Sequence, residues 1–430
     1  MANILDLSNE LILQIISYIR PRPPVLPCGL PTHVWPKVLK SHNQKSFKQA
    51  QQLYCIVLSC RRFHDLATGI LYSYIPLMDS TVRSQKLLQT LEWGTAICDY
   101  IQHVSINVRG ISSAEVFHQL FFWLPKVHTI DLKNYDAWDT EPWDENNQYD
   151  VQGSPVKVLR LVECGAHEDP LHEILSFPSA LRELWYDVVQ IEWSGHWGDT
   201  APVDFSCAAI KRSLGHQIHS LEKLVFTRPR QDHEGLGYND QLDISDLTAL
   251  RSLCINQVFL VGYHSDLNIR EHMPSSLEEL DVFFDDAGYL SFLSHDAPAP
   301  VWLFGLLNQP RDEKNSNRPS FTPELKRMRI VSQEWWPEYS EESEGESMSE
   351  GHDVGNDDMS LDESRLRTNA DYPWKPPRVL LRALSQSNLA KLSWSIYLHG
   401  SRRCSYVPEG GSGFTTEWEE SWDPEERIIA

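Results

Sequence analysis

One short pattern recurs along most of this 430-residue chain: apolar, two variable positions, apolar, one variable, apolar. It reads Ile101-Val104-Ile106, Val127-Ile130-Leu132, Val156-Leu159-Leu161, Leu181-Leu184-Tyr186 and Leu221-Leu224-Phe226. Four more follow at Leu250-Leu253-Ile255, Leu277-Leu280-Val282, Leu325-Met328-Ile330 and Leu389-Leu392-Trp394. The last two apolar positions stand two apart, which is the spacing of one face of a β-strand. A strand that short cannot cover its own apolar side, so successive units must stack against each other.

The starts are separated by 26, 29, 25, 40, 29, 27, 48 and 64 residues. The segments between triplets read as helical in places, as at Ala114–Trp123 and Pro170–Leu175. The longer gaps hold a loop around Trp193, a proline-rich stretch from Pro298 to Pro323, and an acidic insert. Asn134 and Cys164 follow their triplets closely. Together these features resemble a degenerate leucine-rich repeat, whose units give one short strand and a return segment. The resemblance implies an α/β fold in which an irregular solenoid occupies residues 76–430. Its strands would line a concave face, with the side chains between the buried positions turned to solvent. Arg160, Trp185, Asp187, Asn256, Asp281, Phe283 and Arg329 are then the candidate target-binding residues, because aromatics and arginine anchor protein interfaces.

Ahead of this body lie two stretches that read as short apolar helices, whose surfaces a small module cannot bury alone. In the first, Leu7, Leu11, Ile12, Ile15, Ile16 and Ile19 recur at helical spacing, and Ser8 is placed to cap the helix. The second is the run Gln52–Ala67. Leu7-Ser8, Glu10-Leu11-Ile12, Ile15-Ile16 and Tyr18-Ile19, followed by Ser59-Cys60-Arg61-Arg62-Phe63, Leu66-Ala67 and Leu71-Tyr72, resemble the F-box. Ser8 stands where that family has proline, and both suit a helix start. The resemblance implies a helical module over residues 1–75 that docks on a Skp-type adaptor, and through it on a cullin. Leu7, Leu11, Ile12, Ile15, Ile16, Leu58, Phe63 and Leu66 would make the contact. Between the halves, the prolines from Pro21 to Pro36 predict an extended loop over about residues 20–51 with a helix at its end.

The net charge of −22 argues against nucleic acid as a partner. Half of it comes from eleven acids between Glu338 and Glu363, where no lysine or arginine intervenes. Self-repulsion there predicts a disordered insert over about 337–368. Ser343, Ser347 and Ser360 each precede an acid by three residues, which makes them candidate phosphorylation sites. No apolar run is long enough to cross a bilayer, and the first residues lack a basic segment followed by an apolar core and cleavage site, so secretion is not expected. The eight cysteines are scattered, which suits a reducing compartment, cytoplasmic or nuclear.

Catalysis finds little support. Glycine-rich phosphate loops, Gly-x-Ser-x-Gly and His-x-x-x-His are all missing, so neither a catalytic residue, a metal nor a cofactor is expected. The sequence therefore points to the substrate-recognition subunit of an SCF-type cullin–RING ubiquitin ligase, with an unidentified protein target. A non-ligase scaffold and a hydrolase or transferase with a helical cap are the alternatives. A polar pocket holding a histidine–carboxylate pair would favour the last.

Overall fold

The structure is a computed structural model, and it describes residues 6–22, 35–78, 81–92, 96–108, 120–121, 124–134, 152–164, 168–188, 206–227, 241–261, 269–284, 325–333, 391–398, 402–409 and 413–419. The chain is a mixed α/β protein built on one sheet whose strand order follows the sequence from β1 to β12. Strands β1 (Tyr74–Met78), β2 (His103–Asn107), β3 (Thr129–Lys133), β4 (Val158–Cys164) and β5 (Glu183–Val188) come first. They are followed by β6 (Lys223–Thr227), β7 (Ser252–Asn256), β8 (Glu279–Phe284), β9 (Arg327–Gln333) and β10 (Lys391–Leu398). These ten run parallel. Then β11 (Arg402–Glu409) and β12 (Gly413–Glu419) add antiparallel.

The last two apolar residues of each of the nine triplets fall on β2–β10 and share one register. Val104, Ile130, Leu159, Leu184, Leu224, Leu253, Leu280, Met328 and Leu392 form one row across the sheet. Ile106, Leu132, Leu161, Tyr186, Phe226, Ile255, Val282, Ile330 and Trp394 form the next. The leading residues of the triplets, Ile101 through Leu277, are fully buried just ahead of each strand. A backbone staircase repeats with them. The carbonyls of Ser73, Gln102, His128, Lys157, Arg182, Glu222, Arg251 and Glu278 each accept two consecutive N–H groups from the next unit. This pairing satisfies backbone groups that would otherwise be lost at the entry to each strand.

Helical return segments cover the apolar rows. They include α5 (Glu168–Ser176), α6 (Cys207–Leu214) and the short α7 (Gln257–Val261), while α4 (Thr81–Glu92) follows β1. One continuous core results, running from Ile75 to Met328. Phe226 sits in it between Tyr186 and Phe259, at ring-centroid distances of 5.6 and 4.2 Å.

Three helices precede the sheet: α1 (Asn9–Ser17), α2 (Trp35–Ser59) and α3 (Arg61–Tyr72). Two expectations are corrected here. The run Gln52–Ala67 is not one helix, because Cys60 takes an extended backbone, φ −161° and ψ 162°, and caps α3. Just before it, the Ser59 hydroxyl turns back to donate to the Ile56 carbonyl, a local bond that competes with helix continuation. The segment between the motif halves is also more helical than its prolines suggest. α2 opens at Trp35-Pro36, and proline is tolerated in a first helical turn.

Candidate functional site

The first site is the apolar surface of the helical module. Ser8 caps α1 by accepting a hydrogen bond from the Leu11 N–H at 3.4 Å. Arg62, at the start of α3, donates to the Leu7 carbonyl at 2.7 Å and, through two nitrogens, to Asn9 Oδ1 at 2.9 and 2.7 Å. That fork ties the beginnings of α1 and α3 together. Ile12 and Ile16 of α1, Leu53 and Val57 of α2 and Ala67 of α3 form the module's small core.

The eight residues expected to dock an adaptor divide into three groups. Ile12 and Ile16 are buried in that core, and Leu7, Phe63 and Leu66 pack half-buried around it. Leu11, Ile15 and Leu58 remain 48, 47 and 65 % exposed. Leu11 and Ile15 are one helical turn apart, displaced by one residue from the buried Ile12/Ile16 stripe. Tyr54 and Leu58 stand likewise beside Leu53 and Val57. The sequence reading missed Leu13, Tyr18 and Tyr54, which are also exposed large side chains. The α1 pattern carries apolar residues over more than half its circumference, which is the signal that one core cannot absorb them all.

The module rests against the sheet. Gly69 of α3 meets the Tyr100 ring so closely that a Cβ there would lie 3.2 Å from it. In the N-terminal half of α2, His42 lies 2.5 Å from the Arg22 carbonyl, to which Ser46 also donates. Arg20 reaches Gln102 at 3.4 Å.

The second site is the face of the sheet opposite the apolar rows. Ser105, Asp131, Arg160, Trp185, Val225, Cys254, Asp281 and Arg329 share one register row there. The expectation that this face is open to solvent is corrected. Trp185, Asp187, Asn256, Asp281 and Phe283 are all buried, and the Arg160 side chain is only 12 % exposed. Arg329 lies on β9, and its side chain is outside the described residues, as are Ser343, Ser347 and Ser360.

Several of the buried polar groups on this face bond one another, although Arg160 Nε finds no partner among the described residues. His103 Nε2 lies 2.7 Å from Asp131 Oδ2, the Ser105 hydroxyl donates to the same oxygen at 3.1 Å, and Arg160 donates to Oδ1 at 3.2 Å. Burial by itself would raise the Asp131 carboxyl, but the His103 ring and the Arg160 guanidinium hold it down at about 2. Arg160 continues to Glu183 at 3.5 Å, which also accepts from the Trp185 indole. Lys223 lies 4.6 Å and Arg160 5.5 Å from the centre of the Trp185 ring, giving it two cationic neighbours. A one-residue slip in register would turn these charged side chains onto the apolar face, so burial of the apolar rows holds the pairing in place. At the strand starts Glu183, Lys223, Glu279 and Arg327 keep 22, 24, 42 and 33 % of their side chains exposed.

A histidine–carboxylate pair therefore exists, but its geometry does not make a nucleophile. Ser105 donates to Asp131, whereas activation needs the hydroxyl bonded to the imidazole. A separate cleft of about 390 Å³ lies between α6 and the turn 241–247. Its charges are matched internally, with Lys211 bonded to Asp243 and, at 3.2 Å, to Asp246. Asp243 is opposed by burial but drawn down to about 2 by Lys211 and Ser245.

Comparison with known proteins found no family model that matches the chain and no matching curated protein. Among the described residues, no helix is long and apolar enough to cross a membrane.

Proposed function

We propose that the chain is the substrate-recognition subunit of an SCF-type cullin–RING ubiquitin ligase. Its helical module serves as the F-box and its sheet as a degenerate leucine-rich-repeat solenoid. The observation that carries this reading is the exposure of Leu11, Ile15 and Leu58 beside a module core that is already complete. Exposed leucine and isoleucine side chains in such a stripe favour a protein partner. A Skp-type adaptor, itself bound to a cullin, is the partner that the F-box resemblance implies. The repeated register and the carbonyl staircase support the solenoid, since each unit depends on the next for its backbone bonds and its core. Catalysis in this reading belongs to the other subunits, and the chain contributes proximity between target and ubiquitin carrier. It would work in the cytoplasm or nucleus. Among the described residues, the partly exposed strand-start row of Glu183, Lys223, Glu279 and Arg327 is what the buried face leaves available to a target.

The test is co-purification with a Skp-type adaptor. The wild-type chain should retain it, and Leu11→Asp combined with Ile15→Asp should not. Both positions are exposed, so the variant keeps its core. Equal retention by the two proteins rejects the reading.

A further inference from the structure

On the side of the sheet that carries the return segments, imidazoles from two successive units meet. His172 on α5 and His216 in the 3-10 turn Gly215–Gln217 place their Nε2 atoms 3.1 Å apart. Their ring centroids are 4.4 Å apart, with the planes inclined at 57°. His172 is exposed and His216 half-buried. We propose that this pair binds one divalent transition-metal ion, zinc or copper(II), through both Nε2 atoms, with water in the remaining positions.

The spacing fits. Imidazole nitrogens bind zinc at about 2.0–2.1 Å, so two on one ion stand about 2.9 Å apart at a right angle and about 3.4 Å apart at the tetrahedral angle. The competing account is a hydrogen bond between one protonated nitrogen and one bare one. A straight bond of that kind sets the rings end to end, with centroids well beyond the nitrogens. Here the centroids are 4.4 Å apart against 3.1 Å for the nitrogens, with the planes inclined at 57°, so the rings are bent away from that end-to-end line.

The frame holding the rings is already rigid. Gln217, next to His216, is buried and donates to the Leu175 and Pro178 carbonyls at 2.8 and 2.9 Å, at the end of the helix that bears His172. Chelation therefore asks for little new ordering. Imidazole suits zinc and copper(II) among the first-row ions. No third histidine, cysteine or carboxylate joins the pair among the described residues. Two protein ligands and open coordination positions are what the site offers.

The experiment is calorimetric titration of the full-length, chelator-stripped chain with zinc chloride and, separately, copper(II) chloride. Wild type should bind one equivalent saturably. His172→Ala and His216→Ala should each weaken that equivalent by about tenfold or more, because the second ligand acts at high effective concentration, and the double variant should keep none of the binding owed to the pair. His172→Gln and His216→Gln, which retain hydrogen-bonding side chains, should lose it as well. Copper bound to wild type should show nitrogen couplings from two imidazoles by electron paramagnetic resonance. Identical isotherms for wild type and the double variant would overturn the proposal, and so would single losses that add as two separate sites.

Discussion

The sheet and the helical module use apolar residues of the same kinds but settle them differently. In the sheet, each short strand finds its neighbour one unit along, and the paired rows from Val104 to Met328 and from Ile106 to Val282 are buried almost completely. In the helical module α1 buries Ile12 and Ile16 but leaves Leu11 and Ile15 about half exposed. A stacked sheet extends its own core with every unit, whereas three helices close a small core and have surface left over. Among the described residues the sheet's apolar rows are covered, whereas the module keeps Leu11, Ile15 and Leu58 at its surface.

That contrast can be broken most forcefully at the centre of the sheet. Phe226→Ala removes a ring packed between Tyr186 and Phe259 and should destabilise the chain by about 3–5 kcal/mol in urea denaturation. A loss below about 1 kcal/mol would mean that the stacked core is not the main source of stability.

Asp131→Ala should cost about 3 kcal/mol or more, because it strands the Arg160 guanidinium and the His103 ring on a buried face. The pH dependence has a definite sign. The native carboxyl, held at about 2, lies below the value of about 3.9 expected in the unfolded chain. Its contribution is therefore full above about pH 4 and lost as pH falls towards about 2. Denaturation of wild type and Asp131→Asn across that window should show their stability difference shrinking with acid. A constant difference would reject the buried network.

Gln217→Ala should cost about 1–3 kcal/mol. Its amide donates to two carbonyls, while its oxygen accepts from the Leu181 N–H at 2.9 Å and the Ser220 hydroxyl at 2.7 Å. Hydrogen exchange should quicken at Leu181 if this side chain links successive units. Within the module the effects are smaller. Ser8→Ala should lower stability by about 1 kcal/mol through loss of the α1 cap. Ile15→Ala should change it by no more than about 0.5 kcal/mol, whereas Ile16→Ala, one residue along, should cost about 2 kcal/mol or more. Equal costs at the two positions would show that α1 is covered on both sides.

Much of the sheet was legible before the structure because its signal is local. Three apolar residues within six positions mark a strand, and the return of the pattern marks its neighbour. β1 escaped this reading because Pro76 lies inside it. Proline is confined to sheet edges, and β1 is the edge, with its register shifting between Ile75 and Met78. The β11–β12 pair lacks the apolar triplet of the parallel strands, although Glu409-Gly410-Gly411-Ser412-Gly413 carries a hairpin signal. The apolar residues of the helical module were legible too, but their division into core and surface was not.

The sequence alone determined where the strands start, which side chains face the core, and that a strip of apolar surface precedes them, since period and spacing are properties of neighbouring residues. Tertiary structure decided that Ile12 is covered and Leu11 is not, that the Trp185 face is closed, and that Asp131 joins His103, Ser105 and Arg160. Those outcomes depend on partners tens of residues distant along the chain, and no local pattern encodes which of them arrive.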